Sequence, residues 1–321
     1  MILVTGGTGF IGSHLLEKLS ACGEPARVLA RPRRVAPRFP AGVQSVAGDL
    51  LTGDGLADAL RGVDTVIHLA GVTKALRASD YYAGNVQATE TLARALQGRS
   101  VRLVHVSTLA AIGPSEGHAP VQEDADPRPL THYGKSKLEA ERTVRALAPD
   151  AVIVRPPVVY GPRDTDVFQL LKSVSKGLVL EIAGGERWFS AIYVEDLAEG
   201  LVAAARAPQA CGRSYFLTHS KPASWSELAS IAAGVMRRRP RVLHIPVPLA
   251  YGAGYCAELW SRLTRVPGII SREKVAEAVR TAWICDHRRA ASELGFQAGT
   301  PLAAGLAKTL AWYKEAGWLK Y

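Results

Sequence analysis

The sequence predicts a doubly wound α/β fold, a parallel sheet covered by helices on both faces, with a smaller and mostly helical lobe attached. Short apolar or β-branched runs alternate with longer segments of helical spacing through the first half of the chain. The runs are almost continuously apolar rather than alternating, which is the texture of strands buried on both faces. After Arg155 the pattern breaks into Pro156-Pro157, Tyr160-Gly161-Pro162 and shorter elements, as expected where a chain leaves its sheet.

In order, strands are expected at Ile2 to Val4, Arg27 to Ala30, Val43 to Ala47, Thr65 to Leu69, Val101 to Val106 and Ala151 to Val154. Helical spacing falls between them, at Phe10 to Ala21 and Tyr81 to Leu96. Beyond the break, helices are expected at Glu195 to Ala205, Ser224 to Val235, Pro248 to Thr264 and Pro301 to Ala316, with a strand at Val242 to Ile245. Residues 1–164 are read as the sheet domain, to which about 189–218 return; 165–188 and 219–321 are read as the second lobe. Neither a repeat nor a flexible linker separates the two, so one fixed interface is expected.

With 321 residues, 48% apolar and 21% charged, the chain is long enough for a substantial core and too apolar for disorder. Its net charge of +10 is unevenly placed: residues 1–205 hold 22 basic and 22 acidic side chains, residues 206–321 hold 17 and 7. A basic surplus invites a nucleic-acid reading, but the sequence has no paired CxxC or HxxxH ligand sets, RNP-like strand or basic heptad helix to go with it. Anionic small molecules and acidic lipid headgroups are the partners expected instead. Cys22, Cys211, Cys256 and Cys285 are far apart and in no metal spacing, so they read as thiols in a reducing, cytoplasmic compartment. The chain opens directly on a strand without the pattern of a signal peptide. The longest uncharged apolar stretch, Ile245 to Ala257, is 13 residues with Pro246, Pro248 and Gly252 inside it, too short to span a bilayer.

The first strand runs into Thr5-Gly6-Gly7-Thr8-Gly9-Phe10-Ile11-Gly12, which places Gly6, Gly9 and Gly12 in a GxxGxxG spacing. Such a turn needs glycines to bend tightly, approach a pyrophosphate closely and pack a helix on the strand, whose N–H groups then face the phosphates. The plain alternative, a strand-to-helix turn, loses ground because the motif opens a βαβ series. Nineteen residues past Gly12, at the end of the second strand, stands Arg31, followed by Arg33 and Arg34. An acid there would hold the ribose hydroxyls of NAD, whereas Arg suits the 2′-phosphate of NADP. NADP is therefore the expected cofactor, with NAD the alternative. Asp49 and Leu50 follow the third strand where an adenine would lie, and His68-Leu69-Ala70-Gly71 ends the fourth beside the pyrophosphate.

Tyr133 and Lys137, at i and i+4, share one face of a helix. An ammonium about 4 Å from the phenol, at an effective dielectric of about 20, is worth about 4 kcal/mol, or about three pKa units, which brings a tyrosine towards neutrality. Ser107 and Thr108 close the fifth strand at the sheet edge where such folds hold ligands, and Asn85 lies on the preceding helix, able to bond backbone near the site.

As a set, these motifs resemble the extended short-chain dehydrogenase/reductase superfamily, the NAD-dependent epimerase/dehydratase family. The resemblance also takes in Arg155-Pro156-Pro157 with Tyr160-Gly161-Pro162, and Ile192-Tyr193-Val194-Glu195-Asp196-Leu197. It implies a Rossmann domain, with Tyr133 as proton donor or acceptor, Lys137 on the nicotinamide ribose and Thr108, beside Ser107, orienting the reacting oxygen. It places Pro156 to Val158 along the nicotinamide and implies a homodimer through the helices of Tyr81 to Leu96 and Tyr133 to Leu147. Arg163, Phe168 and Trp188 are candidate substrate contacts, with lobe packing as the alternative.

Thr108 is followed by Leu109-Ala110-Ala111, where dehydratases of that superfamily have Asp-Glu, so elimination lacks its acid and base. The tail, from Ile245-Pro246-Val247-Pro248 to Gly317-Trp318-Leu319, is similar to the branch of dihydroflavonol reductases and 3β-hydroxysteroid dehydrogenases. The resemblance thus favours an NADP-dependent oxidoreductase acting on an alcohol or carbonyl of a ring or lipid-like substrate. A nucleotide-sugar epimerase is the second reading and a non-catalytic NADPH-binding protein the third. Finally, Leu249, Ala253, Cys256, Trp260 and Leu263 recur at helical spacing. Packing on the chain's own lobe is the first expectation for that stripe, and peripheral contact with a membrane, helped by Arg262, Arg265 and Arg272, is the second.

Overall fold

In the computed structural model, which describes residues 1–32, 37–266, 268 and 270–321, the wholly buried β1 (Ile2–Thr5) lies in the interior of a parallel seven-stranded sheet. Glycines at 6, 9 and 12 turn it directly into α1 (Phe10–Ala21). Then come β2 (Ala26–Ala30), β3 (Val43–Ala47), the short α2 (Leu56–Ala59) and β4 (Thr65–His68). Next, α3 (Ala78–Tyr82) passes through a π turn at Ala83–Gln87 into α4 (Ala88–Leu96), and β5 (Arg102–Val106) ends in a 3₁₀ turn at Leu109–Ala111. The long α5 (His132–Leu147) leads to β6 (Val152–Val154). These boundaries agree with the sequence reading to within a few residues, except that the helix expected at Tyr81 to Leu96 starts earlier and contains the π turn.

After the proline pair come β7 (Val158–Tyr160), α6 (Val167–Ser175), β8 (Leu178–Ile182), β9 (Trp188–Phe189) and β10 (Ala191–Tyr193). The chain returns to the sheet through α7 (Val194–Arg206) and β11 (Ser214–Tyr215). It then builds β12 (Ala223–Ser224), α8 (Trp225–Val235), β13 (Arg241–Ile245), α9 (Val247–Thr264), α10 (Arg272–Ala278), β14 (Ala282–Trp283), α11 (Arg288–Leu294) and α12 (Leu302–Glu315).

The strand order β3-β2-β1-β4-β5-β6-β11 reverses direction between β1 and β4. There the connections diverge to opposite sides and leave a crevice at the strands' carboxyl ends. One face of the sheet is covered by Leu15, Leu16 and Leu19 of α1 with Leu197 and Leu201 of α7. On the other, Leu92 and Leu96 of α4 and Val144 of α5 pack with Leu56. A second core joins Leu171, Phe189, Leu228, Leu306 and Tyr313.

Two expectations need correcting. Residues 219–321 do not all pack with the second lobe, because Ala290 and Phe296 join the sheet's core and Phe296 lies hard against Gly200 of α7. The stripe Leu249, Ala253, Cys256, Trp260 and Leu263 does not pack inward either; all five are exposed, and α9 buries the small Ala250, Gly254 and Ser261 instead. A tight approach explains the inversion. A Cβ on Gly254 would come within 3.1 Å of the backbone at Ser271 and Arg272, so α10 touches α9 where side chains are smallest.

Candidate active site

The carboxyl edges of β1, β4 and β5 supply the first part of the site. Gly6 has φ +74°, and a Cβ there would meet the Ala70 nitrogen at 2.6 Å. A Cβ on Gly12 would meet the Gly6 carbonyl oxygen at 2.3 Å. No side chain caps α1, so the N–H groups of its first turn, at Phe10, Ile11 and Gly12, are left for an anion. This cradle, which any Cβ would fill, fits the pyrophosphate of a dinucleotide. Leu69 and Ala70 are half-buried beside it, and the exposed Gly71 lies where a Cβ would meet Asn85 Oδ1 at 2.8 Å and the Lys137 ammonium at 4.0 Å.

Asn85, in the π turn, spends its amide on position. Its Oδ1 accepts from the Val72 N–H (2.7 Å), and its Nδ2 donates to the Val72 carbonyl (3.0 Å) and Ser136 Oγ (2.9 Å). It therefore ties the loop after β4 to α5. At the adenosine end, Arg31 is exposed just past β2 and Arg34 lies outside the described residues. Arg27, from the same basic run, is held by Gln44 and by the carbonyls of Asp58, Ala59 and Arg61, so it is no phosphate ligand. Asp49 Oδ1 accepts from the Leu51 N–H at 2.9 Å, making the turn, and the Leu50 side chain is buried in the core.

The catalytic candidates meet where α5 begins. A Cβ on Gly134 would meet the Ala110 carbonyl at 2.3 Å, so the glycine lets α5 lie directly on the turn that follows Thr108. Thr108 Oγ1 caps that turn by accepting from the Ala110 N–H at 3.2 Å. Ser107, buried next to it, has a hydroxyl without a hydrogen-bond partner among the described residues. Pro156 is buried and accepts from the Leu109 N–H at 2.9 Å; Val158 is half-buried.

The electrostatics differ from the sequence expectation. Burial pushes the Tyr133 phenol up, while the Lys274 cation and the Thr108 hydroxyl pull it down. The Lys137 ammonium instead donates to the Val106 carbonyl at 2.7 Å, and burial brings its pKa down to about 8. The opposing cation over Tyr133 is thus Lys274, whose nitrogen lies 6.0 Å from the ring centroid. Sequence reasoning missed it because Ser271-Arg272-Glu273-Lys274 announces a helix start but not where that helix lands. In fact α10 lands on the start of α5. Glu273 accepts from the His132 N–H (3.0 Å), and Glu277 accepts from Thr131 Oγ1 (3.1 Å) and from Lys274 (2.8 Å). Carboxylates from α10 thereby supply the negative charge that the first turn of α5 lacks.

Two of the candidate substrate contacts are taken up by packing. Arg163 bonds Ser13 (2.8 Å) and Glu17 (2.6 Å) of α1, and the Phe168 ring lies against Tyr313 and Trp318. Trp188 is half-buried in β9, edge-on to His118.

A cradle for a dinucleotide beside a Tyr, Lys and Thr cluster agrees with a match of residues 2–216 to the model of the NAD dependent epimerase/dehydratase family. The chain belongs to that family. Among its curated relatives, a ceramide reductase from Caulobacter vibrioides is 33% identical over 320 residues, covering 99% of this chain and 96% of the relative. The 4-hydroxy-2-methyl-3-oxo-4-farnesyl-3,4-dihydroquinoline-1-oxide ketoreductase of Stigmatella aurantiaca is 34% identical over 274 residues, covering 81% and 80%. Among solved structures, MoeE5 in complex with UDP-glucose and NAD superposes with a TM-score of 0.78 at 27% identity, over 98% of this chain and 99% of that one. Family membership makes this chain an enzyme of the reductase and epimerase type, with a nicotinamide dinucleotide as its cofactor class.

Proposed function

We propose that this protein is an NADP-dependent oxidoreductase that interconverts a carbonyl and an alcohol on a lipid-like substrate. The observation that carries the reading is the pairing of Tyr133 with Thr108 at the carboxyl edge of β5, with no carboxylate in the turn after it. Leu109 and Ala111 are buried there, so a proton can be moved at one oxygen but none removed from a neighbouring carbon by that turn. Bound NADPH supplies the hydride. Thr108 holds the substrate oxygen against Tyr133, which gives its proton to that oxygen in reduction and takes it back in oxidation. Lys137, fixed on Val106, presents its ammonium to the ribose, and the unspent Ser107 hydroxyl is available to the substrate. Exposed Arg31 favours the 2′-phosphate, and relatives acting on ceramide and on a farnesylated ring favour a long-chain substrate. The same reading takes the enzyme as cytoplasmic and as a homodimer through α4 and α5.

A nucleotide-sugar epimerase is the second reading, favoured by the UDP-glucose and NAD bound in MoeE5. Absorbance at 340 nm separates the two. NADPH loss with long-chain ketones in detergent micelles supports the reductase; UDP-sugar interconversion without net NADPH loss replaces it. In the Tyr133→Phe variant turnover is abolished while NADPH still binds, and undiminished turnover refutes the role given to Tyr133. Binding of NADH at least tenfold tighter than NADPH, about 1.4 kcal/mol or more, overturns the cofactor assignment.

A further inference from the structure

Eleven of the fourteen exposed large apolar side chains among the described residues fall between Val235 and Ile270. Most are on α9 or just beyond it, with Leu249 65%, Trp260 69% and Leu263 80% exposed. The helix is inverted relative to an ordinary surface helix, since small residues face the protein and large apolar ones face solvent. Val266 and Ile270 extend the patch past its end, and Val242 and Leu243 of β13 precede it. Residues 235–272 also hold seven arginines, at 237, 238, 239, 241, 262, 265 and 272, against one acid, Glu258. That is +6 of the chain's +10.

We propose that the outer face of α9 is a docking surface for an anionic lipid bilayer, with Trp260, Leu263 and Leu249 entering the headgroup boundary and the arginines around them pairing with lipid phosphates. An amphipathic helix lying in the interface needs this combination of exposed aromatic and aliphatic side chains with flanking cations. A second copy of the chain is disfavoured as occupant, because it would bring the same excess of arginine against itself. No helix among the described residues is long and apolar enough to cross a membrane, so the contact is one of lying on the surface.

The docking face is joined to the active site by bonded steps. Glu258 of α9 accepts from the Arg272 N–H and from Arg272 Nε, both at 2.9 Å, and the Arg272 guanidinium stacks over Tyr255. Arg272 begins α10, whose Glu273, Lys274 and Glu277 hold the start of α5 beside Tyr133. The docking face thus lies on the helix pair that buttresses the turn carrying Tyr133. This link deepens the lipid-substrate reading and rests on it, whereas docking is tested without substrate or cofactor, so the two can fail separately.

The test is co-sedimentation with vesicles of phosphatidylglycerol and phosphatidylcholine against phosphatidylcholine alone. The chain should partition onto the anionic vesicles, lose that binding as salt is raised, and have its tryptophan fluorescence quenched by brominated acyl chains. Trp260→Ser with Leu263→Ser, and separately Arg262→Glu with Arg265→Glu, should each weaken binding about tenfold or more. All four positions are exposed, and an unchanged thermal transition verifies folding. Wild-type protein that stays in the supernatant at low salt overturns the proposal. So does vesicle binding without quenching, or binding unaffected by either pair of substitutions. Self-association that the Trp260→Ser and Leu263→Ser pair abolishes would assign the face to a second copy instead.

Discussion

His68 closes β4 with its ring fully buried, Nδ1 2.6 Å from Thr5 Oγ1 and Nε2 2.9 Å from Thr89 Oγ1. Thr89 donates its own hydroxyl proton to the Asn85 carbonyl at 2.6 Å, so it accepts from Nε2–H, and Nδ1 is left to accept from Thr5. A second proton on this ring would have no water and would face the Lys137 cation; burial, with that cation behind it, holds the pKa at about 3. The folded state therefore binds fewer protons than the unfolded chain between about pH 3 and 6.5, and stability falls as pH drops through that window. From pH 7 to pH 5 the loss from His68 is about 2 kcal/mol. Asp164 acts in the opposite sense, because burial raises it to about 6 and the folded state takes up its proton first, returning about 1.3 kcal/mol over the same range. Burial also lowers His105 and His14 and raises Glu123, so the wild-type curve mixes several groups, and the comparison that isolates the His68 ring is with His68→Gln. Urea unfolding followed by circular dichroism at pH 7, 6 and 5 should show the variant losing about 2 kcal/mol less on acidification, whatever its stability at pH 7. If wild type and variant lose the same amount, the imidazole titrates normally and its neutral, doubly bonded state is wrong.

Two further outcomes follow from the site. Gly12→Ala places a Cβ 2.3 Å from the Gly6 carbonyl oxygen and 2.7 Å from Gly7 Cα; opening the cradle to relieve it should weaken NADPH binding by about tenfold or more in a fluorescence titration, and unchanged affinity would remove the glycine turn from the cofactor site. Lys274→Met deletes the cation 6.0 Å from the Tyr133 ring that pulls the phenol down; the pH profile of alcohol oxidation should move alkaline, with Lys274→Arg restoring it and an unmoved profile ruling the cation out.

The sheet and the glycine turn after β1 were legible because their physics is local. A strand buried on both faces must be apolar along its length, and a loop that closes on backbone at Ala70 and Gly6 must be glycine, so both leave marks within a dozen residues. Tyr133 and Lys137 were legible as a pair, but the electrostatic coupling expected between them is replaced by that of Lys274. Helical spacing puts them on one face and says nothing of the Val106 carbonyl that accepts the lysine's hydrogen bond. Asn85 was visible as a polar residue near the site, yet its use as a clamp depends on a π turn that no sequence period announces. For Arg163 and Phe168 the sequence left substrate contact and lobe packing open, since a charged or aromatic residue near a site has the same sequence signature whether it meets a ligand, α1 or Tyr313.

The α9 helix is decided by its neighbour rather than by its own pattern. Periodicity identifies two faces, and the habit of burying the larger apolar one usually settles which turns inward. What settles it here is the neighbour. α10 must reach the start of α5 with Glu273 and Glu277, and α9 can stay in contact with it at Ser271 and Arg272 only where it has no bulk, which Gly254 provides. Leu249, Trp260 and Leu263 are then turned out by the same geometry that secures Tyr133. The basic surplus of the last third, which in the sequence is only an imbalance of charge, includes the exposed Arg262 and Arg265 at the end of that same helix.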